Sequence, residues 1–171
     1  IGGNRVLTVI DGIRSGDIYG AGPSSYGKDS FEMDDLKAVE IIRGPSSVLY
    51  GADAMGGAVL LRTKTPRDYV DGENRTYFSM QTSNASANEM TRVGFTGAWQ
   101  AANFGTMIQY TAREFSEFDV NGKGSLNPQD GDSEGLLIKA FWDISDSQQL
   151  SFVVDQYEEQ NDVMMLSDLS R

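Results

Sequence analysis

Apolar and polar residues alternate along five stretches in the second half of the chain, and this period of two constrains the fold more than any other feature. The stretches are Thr76–Thr82, Met90–Trp99, Phe104–Arg113, Gly135–Asp143 and Gln149–Tyr157. Successive side chains of a β-strand point to opposite faces of the sheet. The pattern therefore predicts five antiparallel strands that share one apolar face.

The connections between these stretches alternate in length. Ala101–Asn103 and Ser145–Gln148 are tight turns, whereas Ser116–Glu134 is a long loop rich in Gly, Asn and Asp. Large aromatic residues flank the short turns, namely Trp99, Phe104 and Trp142. Short turns at one end, long loops at the other and an aromatic girdle are typical of outer-membrane β-barrels. A soluble up-and-down sheet whose apolar face covers a core fits the alternation equally well.

The composition removes several classes of function. The 171 residues contain no Cys and no His, so Ser-His and Cys-His catalysis and sites with His or thiolate metal ligands are impossible within them. A net charge of −11 argues against nucleic-acid binding, which needs clustered Lys and Arg. No apolar run approaches the roughly 20 residues of a membrane-spanning helix, which leaves spans made of β-strands open.

The first half of the chain has a different residue pattern, which is typical of a small mixed α/β unit. Three short β-branched stretches predict strands, and between them lie a Gly/Ser/Tyr-rich loop and a short helix that starts after Gly44-Pro45 and stops at Gly51. The strands are Arg5–Ile10, Val39–Ile42 and Gly57–Thr63, and the loop is Ser15–Asp29. We divide the chain into a first domain at 1–66, a linker at 67–75 and the strands at 76–171.

The glycine-rich stretch Ala38–Lys64 does not carry an enzyme motif. Gly44 and Gly51 are too far apart for a phosphate loop, and "GPSSV" lacks the closing glycine of a nucleophile elbow. Asp119–Asp130 has acidic residues at calcium-loop spacing, but Lys123 stands at a ligand position. We therefore predict no catalytic residues and no metal site.

Two segments of the first half together resemble the second half of the plug of TonB-dependent outer-membrane receptors. The segments are "RVLTVIDGIR" and "DLKAVEIIRGPSSVLYGADAMGGAVLLRTK". The second matches the family's long ordered motif from Val39 to Gly57. The later stretches resemble the family's first barrel strands, and "SEGLLIKAFWDISDSQQLSFVVDQYEE" is similar to its haem and haemoglobin branch.

This resemblance implies the fold class, an α+β plug fragment followed by antiparallel transmembrane strands of a partial 22-stranded β-barrel. It implies that Glu40 and Arg43 belong to a charged cluster that locks the plug to the barrel wall. An alternative is that these two side chains pair with each other or with solvent. The turns and close packing of the motif are assigned to Gly44, Pro45, Gly51, Gly56 and Gly57.

The resemblance also implies a function without catalysis: uptake of an iron-carrying ligand, haem or a ferric siderophore, with no covalently bound cofactor. Candidate ligand contacts in the loop at the plug apex are Tyr19, Tyr26 and Lys28, and a plain solvated loop is the alternative. The implied location is the bacterial outer membrane, with the plug towards the periplasm, the long loops outside and lipid around the barrel. The energy would come from the TonB–ExbB–ExbD complex, bound through a segment ahead of Ile1.

Two other functions fit the sequence: a plugged outer-membrane sensor or adhesin that does not transport, and a soluble β-rich binding domain. Five strands do not close a barrel, so their lipid-facing side and open edge would be exposed. We therefore expect these 171 residues on their own to aggregate or to need detergent. A soluble monomer with a cooperative melt would contradict this expectation.

Overall fold

The computed structural model describes residues 6–15, 19–21, 24–26, 32–45, 50–51, 54–70, 75–117 and 129–164. The chain divides into two compact units, residues 1–64 and residues 65–171. Among the described residues, no helix is both long enough and apolar enough to cross a membrane.

A four-stranded sheet forms the first unit, in the order β2-β1-β6-β5. Its strands are β1 (Val6–Ile10), β2 (Ile13–Arg14), β5 (Leu36–Arg43) and β6 (Gly57–Thr63). β1 and β6 are parallel, while β5 pairs with β6 in the antiparallel sense. Alternate β-branched and Leu residues of β1 and β6 face a small core with buried Leu7, Val9, Ala54 and Ala58. The strands predicted at both positions are therefore present.

The predicted loop Ser15–Asp29 contains a short hairpin, so describing it as loop throughout was wrong. β3 (Tyr19–Ala21) pairs with β4 (Ser24–Tyr26), and these two strands form a separate two-stranded sheet. Three residue pairs hold the hairpin, a length that gives no visible period of two in the sequence. The rest of the loop lies mostly outside the described residues.

The helix predicted after Pro45 lies largely outside the described residues. Tyr50 is helical, and Gly51 follows it with a φ of +88°. A residue with positive φ directly after a helical one is a common helix end, and glycine adopts this conformation without steric cost.

The second unit is a five-stranded antiparallel sheet in simple meander order, β11-β10-β9-β8-β7. The strands are β7 (Thr76–Ala85), β8 (Met90–Gln100), β9 (Phe104–Ser116), β10 (Gln129–Ser145) and β11 (Gln148–Val163). All five predicted strands are present, and the two short turns connect β8 to β9 and β10 to β11 as predicted. The predicted order of a smaller mixed unit followed by five antiparallel strands is confirmed.

The last three strands are longer than the hydrophobic alternation predicted. Gln129–Glu134, placed in the long loop by the sequence, pairs in register with β9 and β11. Acidic residues alternate here with small ones: Asp130, Asp132 and Glu134 against Gly131, Ser133 and Gly135. This is also a period of two, but it carries no apolar residue and so gives no hydrophobic signal.

The two faces of the large sheet have the reverse polarity of a soluble domain. The face that carries Phe95, Trp99, Phe104, Ile108 and Trp142 is exposed. The opposite face is covered and largely polar, with buried Thr96, Gln109, Thr111, Ser133 and Lys139 beside Met107, Leu137 and Phe141. A soluble sheet would bury the apolar face instead. The soluble alternative is therefore disfavoured by the burial pattern.

Candidate functional site

Glu40 and Arg43 lie three residues apart on β5, so their side chains point to opposite faces of the small sheet. They are therefore not placed to pair directly with each other. The Glu40 carboxylate accepts a hydrogen bond from Nη2 of Arg62 on β6, at 2.6 Å. Arg62 stands opposite Ala38, so this is a diagonal cross-strand pair. Both partners are more than half exposed, and exposed pairs of this kind add about 0–1 kcal/mol to stability.

Three glycines of the motif, Gly44, Gly51 and Gly57, have positive φ values that a side chain would strain. Gly44, which directly follows β5, has a φ of +93°, and exposed Pro45 comes next. Gly57, which begins β6, has a φ of +137°, and an added Cβ there would stand 2.4 Å from the carbonyl oxygen of Ile42. Gly56 lies in the bend just before Gly57. The role predicted for these residues in the turns and close packing of the motif stays a prediction.

The predicted ligand contacts fall on the small hairpin. Tyr19 of β3 stands directly opposite Tyr26 of β4 in the register of the pair. Lys28 lies outside the described residues. The two tyrosines are thus brought together by the backbone, and their role in ligand binding stays a prediction.

The covered face of the large sheet holds residues Thr65–Val70, which we call the anchor segment. It begins with a 3₁₀ turn, Pro66–Asp68, in which the Asp68 carboxylate accepts hydrogen bonds from the backbone N–H (2.8 Å) and hydroxyl (2.7 Å) of Thr65. Proline at the first position fixes φ, and the Thr65–Asp68 pair closes the turn. The segment therefore has a defined local conformation.

Arg67 joins the anchor segment to β10. Its Nη2 donates to Oδ2 of Asp143 at 2.6 Å, and its guanidinium carbon lies 4.0 Å from the centre of the Phe141 ring. Gln149 of β11 donates to the other oxygen of the same carboxylate, at 2.6 Å. The carboxylate is thus held from two sides, and the guanidinium combines an ion pair with a cation–π contact.

The rest of the anchor segment crosses the sheet towards its first strand. The Tyr69 hydroxyl donates to Oε1 of Gln109 on β9, at 2.9 Å, and its ring lies 5.0 Å from that of Tyr77 on β7. Val70 is buried in a cluster with residues from β8, β9 and β10, namely Ala98, Met107 and Leu137. The anchor segment therefore contacts four neighbouring strands of the sheet.

The sequence placed these residues at the end of the first domain and in a linker, because the composition of "KTPRDYVDGEN" is that of a loop. A local sequence pattern nevertheless indicated a turn at this position. Thr65 followed by Pro66 and, at the third position, Asp68 is the pattern of a capped helical turn. Tyr69 and Val70 then supply apolar surface to be buried. The remaining predicted linker residues, 71–74, lie outside the described residues.

The first residues of β8 and β10 and the last residues of β9 and β11 line a groove of 620 Å³. Many of the lining residues carry carboxylates, among them Glu89, Glu114, Asp130, Asp132, Glu134 and Asp162. Glu117 follows β9, and its carboxylate accepts a hydrogen bond from the backbone N–H of Gln129 at 3.2 Å, which lowers the pKa of that carboxyl. Within the described part of the chain, no group of acidic residues has the geometry to hold a metal ion.

Comparison with known proteins agrees with this architecture. Residues 1–58 match the family model described as TonB-dependent Receptor Plug Domain. Over 88% of the chain, two hemin receptors are similar, at 25% identity for that of Yersinia pestis and 28% for that of Yersinia enterocolitica. Hemoglobin-binding protein A of Haemophilus influenzae is 24% identical over 91% of the chain. The chain spans about a fifth of the length of these relatives, 21%, 21% and 17% respectively.

Solved structures with the same fold are also receptors. A siderophore receptor from Acinetobacter baumannii aligns over 94% of this chain and 24% of its own, with a TM-score of 0.69 and 17% identity. A ferric enterobactin receptor from Pseudomonas aeruginosa, in complex with enterobactin, aligns over 92% of this chain and 26% of its own, with a TM-score of 0.67 and 18% identity. At this level of identity the likeness concerns the fold alone.

Proposed function

We propose that this chain, whose residues 1–58 match the plug domain of TonB-dependent receptors, is part of an outer-membrane transporter for an iron-carrying ligand. We propose haem or a haem protein as the ligand, ahead of a ferric siderophore. The curated relatives are named for hemin and haemoglobin, whereas the siderophore receptors resemble the chain in fold only. We further propose that the protein is not an enzyme.

One observation carries the membrane location: the large sheet exposes its apolar face and covers its polar one. On β10 the apolar residues of this outer face run from the half-buried Leu136 to the exposed Trp142, about 20 Å along a strand at 3.3–3.4 Å per residue. That length suits the apolar band of an outer-membrane barrel, which is about 25 Å tall. Beyond this apolar band, towards the start of β10, the same face carries carboxylates such as Glu134 and Asp132.

The remaining assignments belong to this proposal. The plug faces the periplasm, the long loops lie outside, and TonB–ExbB–ExbD supplies the energy. Glu40 and Arg43 contribute to the lock between plug and barrel wall. Because their side chains leave β5 on opposite faces, they would do so through separate partners. Tyr19, Tyr26 and Lys28 contact the ligand at the plug apex.

Growth on defined iron sources tests the function. A strain that lacks the full-length gene is starved of iron and supplied with haemin, haemoglobin or a ferric siderophore, with and without the gene on a plasmid. We expect gene-dependent growth on haemin or haemoglobin, and loss of that growth when the strain also lacks TonB. Gene-dependent growth on the ferric siderophore alone would transfer the proposal to that ligand.

A plugged sensor or adhesin that does not transport is the second candidate, since the same fold would serve it. Binding of haemin to cells that carry the gene, without uptake of haem iron under any condition, would favour this candidate. Uptake that depends on TonB would exclude it.

A further inference from the structure

The anchor segment stands at the boundary between the two compact units of the chain. The first unit ends at Lys64, and Thr65, the next residue, already belongs to the second. The contacts described above for Arg67, Tyr69 and Val70 are made with strands of the second unit. The boundary between the two compact units therefore precedes the first strand of the large sheet, at Thr76, by eleven residues of chain.

The anchor segment is held by three kinds of contact, which together fix its position along its whole length. Arg67 is held by charge and by an aromatic face, Tyr69 by a hydrogen bond to a buried amide side chain, and Val70 by apolar packing. The 3₁₀ turn adds internal rigidity, since the N–H groups of Tyr69 and Val70 donate to the carbonyl of Pro66 at 3.1 and 3.2 Å. After the anchor segment, the carbonyl of Arg75 accepts a hydrogen bond from Gln100 at 2.9 Å and the chain enters β7.

We propose that the anchor segment is a fixed attachment point, which stays seated on the inner barrel wall while the preceding unit rearranges to let a ligand pass. This rests on the transport function proposed above. Movement during transport then ends at Lys64. The first barrel strand is protected from it, because a displacement of the plug would have to break the Arg67, Tyr69 and Val70 contacts before reaching Thr76.

The alternative is that the anchor segment leaves the wall together with the plug. The two mechanisms differ in what happens when the segment is fastened covalently. If it is a fixed point, fastening it changes nothing in transport. If it must leave, fastening it stops transport.

Disulfide cross-linking of the anchor segment in the full-length receptor distinguishes the two mechanisms. These 171 residues contain no cysteine. Two pairs are built, Val70→Cys with Ala98→Cys and Val70→Cys with Met107→Cys, because the three residues share one buried cluster. Locking is scored by loss of maleimide labelling on oxidation. If neither pair oxidises, the packing of Val70 on this wall is wrong and the proposal falls with it.

For a pair that locks, we expect the same rate of haem-iron uptake in the oxidised and reduced states. Uptake that is lost on oxidation and restored by reduction would overturn the proposal. The single variant Val70→Cys under the same oxidant is the control for effects of the oxidant itself.

A second measurement separates this proposal from the proposed function. Hydrogen exchange is followed in the purified receptor with and without haemin, at the amides of Tyr69 and Val70. We expect slow exchange in both states, whether or not the receptor transports haem. Amides in the anchor segment that exchange as fast as those of an unstructured peptide would refute a fixed attachment point, while failure of wild-type uptake alone would refute only the function.

Discussion

Gly105 on β9 stands directly opposite Phe141 on β10, and a Cβ atom added to Gly105 would lie 2.4 Å from Cε1 of the Phe141 ring. The guanidinium of Arg67 lies over the same ring, 4.0 Å from its centre. The absence of a side chain at position 105 therefore lets Phe141 lie against the sheet, where it supports the anchor segment.

We expect Gly105→Ala to displace Phe141 and to weaken the hold on Arg67. Overpacking of this kind costs typically 1–3 kcal/mol. The measurement is the free energy of unfolding of the full-length receptor in lipid vesicles, together with hydrogen exchange in the anchor segment. Gly97→Ala is the matched control, because its Cβ would meet Cγ2 of Ile108 at 3.6 Å, an ordinary contact. Equal effects of the two substitutions would contradict the support assigned to Phe141.

Within the anchor segment, we expect the apolar residue to contribute more than the charged one. Val70→Ala removes two buried methyl groups, at about 0.8 kcal/mol each before any cavity term. Tyr69→Phe removes one hydrogen bond, a change of about 0.5–1.5 kcal/mol. The Arg67 and Asp143 side chains are 50% and 33% exposed, so solvent screens their ion pair and Arg67→Gln should have the smallest effect of the three.

The order of these three variants is the test, measured as exchange rates of the Tyr69 and Val70 amides. The charge-exchanged pair Arg67→Asp with Asp143→Arg serves as the control for the ion pair. If Arg67→Gln loosened the segment most, charge and not packing would hold the anchor segment.

How much of this structure the sequence predicted depends on the kind of pattern at each place. β8 was predicted to within one residue at each end and β9 from its first residue, because apolar and polar side chains alternate along both strands. The last three residues of β9, Glu114–Ser116, were not predicted. Which face would be buried did not follow from that alternation, since Phe95 and Trp99 suit a core as well as lipid. The burial of Thr96 and the exposure of Trp99 in the structure favour lipid.

The contacts of the anchor segment and the first part of β10, Gln129–Glu134, were not predicted, for a different reason. Arg67 and Asp143 are 76 positions apart in sequence, and nothing local to either residue indicates their contact. Asp130 and Glu134 continue a strand through backbone pairing with neighbours, while their composition alone indicates a loop. Long-range contacts and backbone pairing of polar strands leave little trace in a single sequence.

In the first unit, Gly57 should be more sensitive than Gly12 although both have positive φ. Gly12 has a φ of +84° with open space around it, so alanine there meets only the backbone penalty, about 1–2 kcal/mol. Gly57→Ala meets a comparable penalty and also the Ile42 carbonyl oxygen at 2.4 Å. We expect Gly57→Ala to separate β5 from β6 and to expose the plug to limited proteolysis of the intact receptor. Similar digestion of the two variants would show that the contact with Ile42 relaxes freely.

The polarity of the large sheet gives a substitution whose effect differs in sign between the membrane and soluble interpretations. Ile108 is 50% exposed in the middle of the apolar face, level with Gly97 on β8 and Ile138 on β10. Lys in the middle of a lipid-facing strand costs about 2–4 kcal/mol. On the surface of a soluble sheet the same residue would be neutral or improve solubility. We expect Ile108→Lys to lower the free energy of unfolding by that amount in lipid vesicles, whereas Thr91→Lys, on the same face of β8 but beyond the apolar band, changes it little. An Ile108→Lys protein that unfolds like wild type in lipid would place this face in water and remove the membrane assignment.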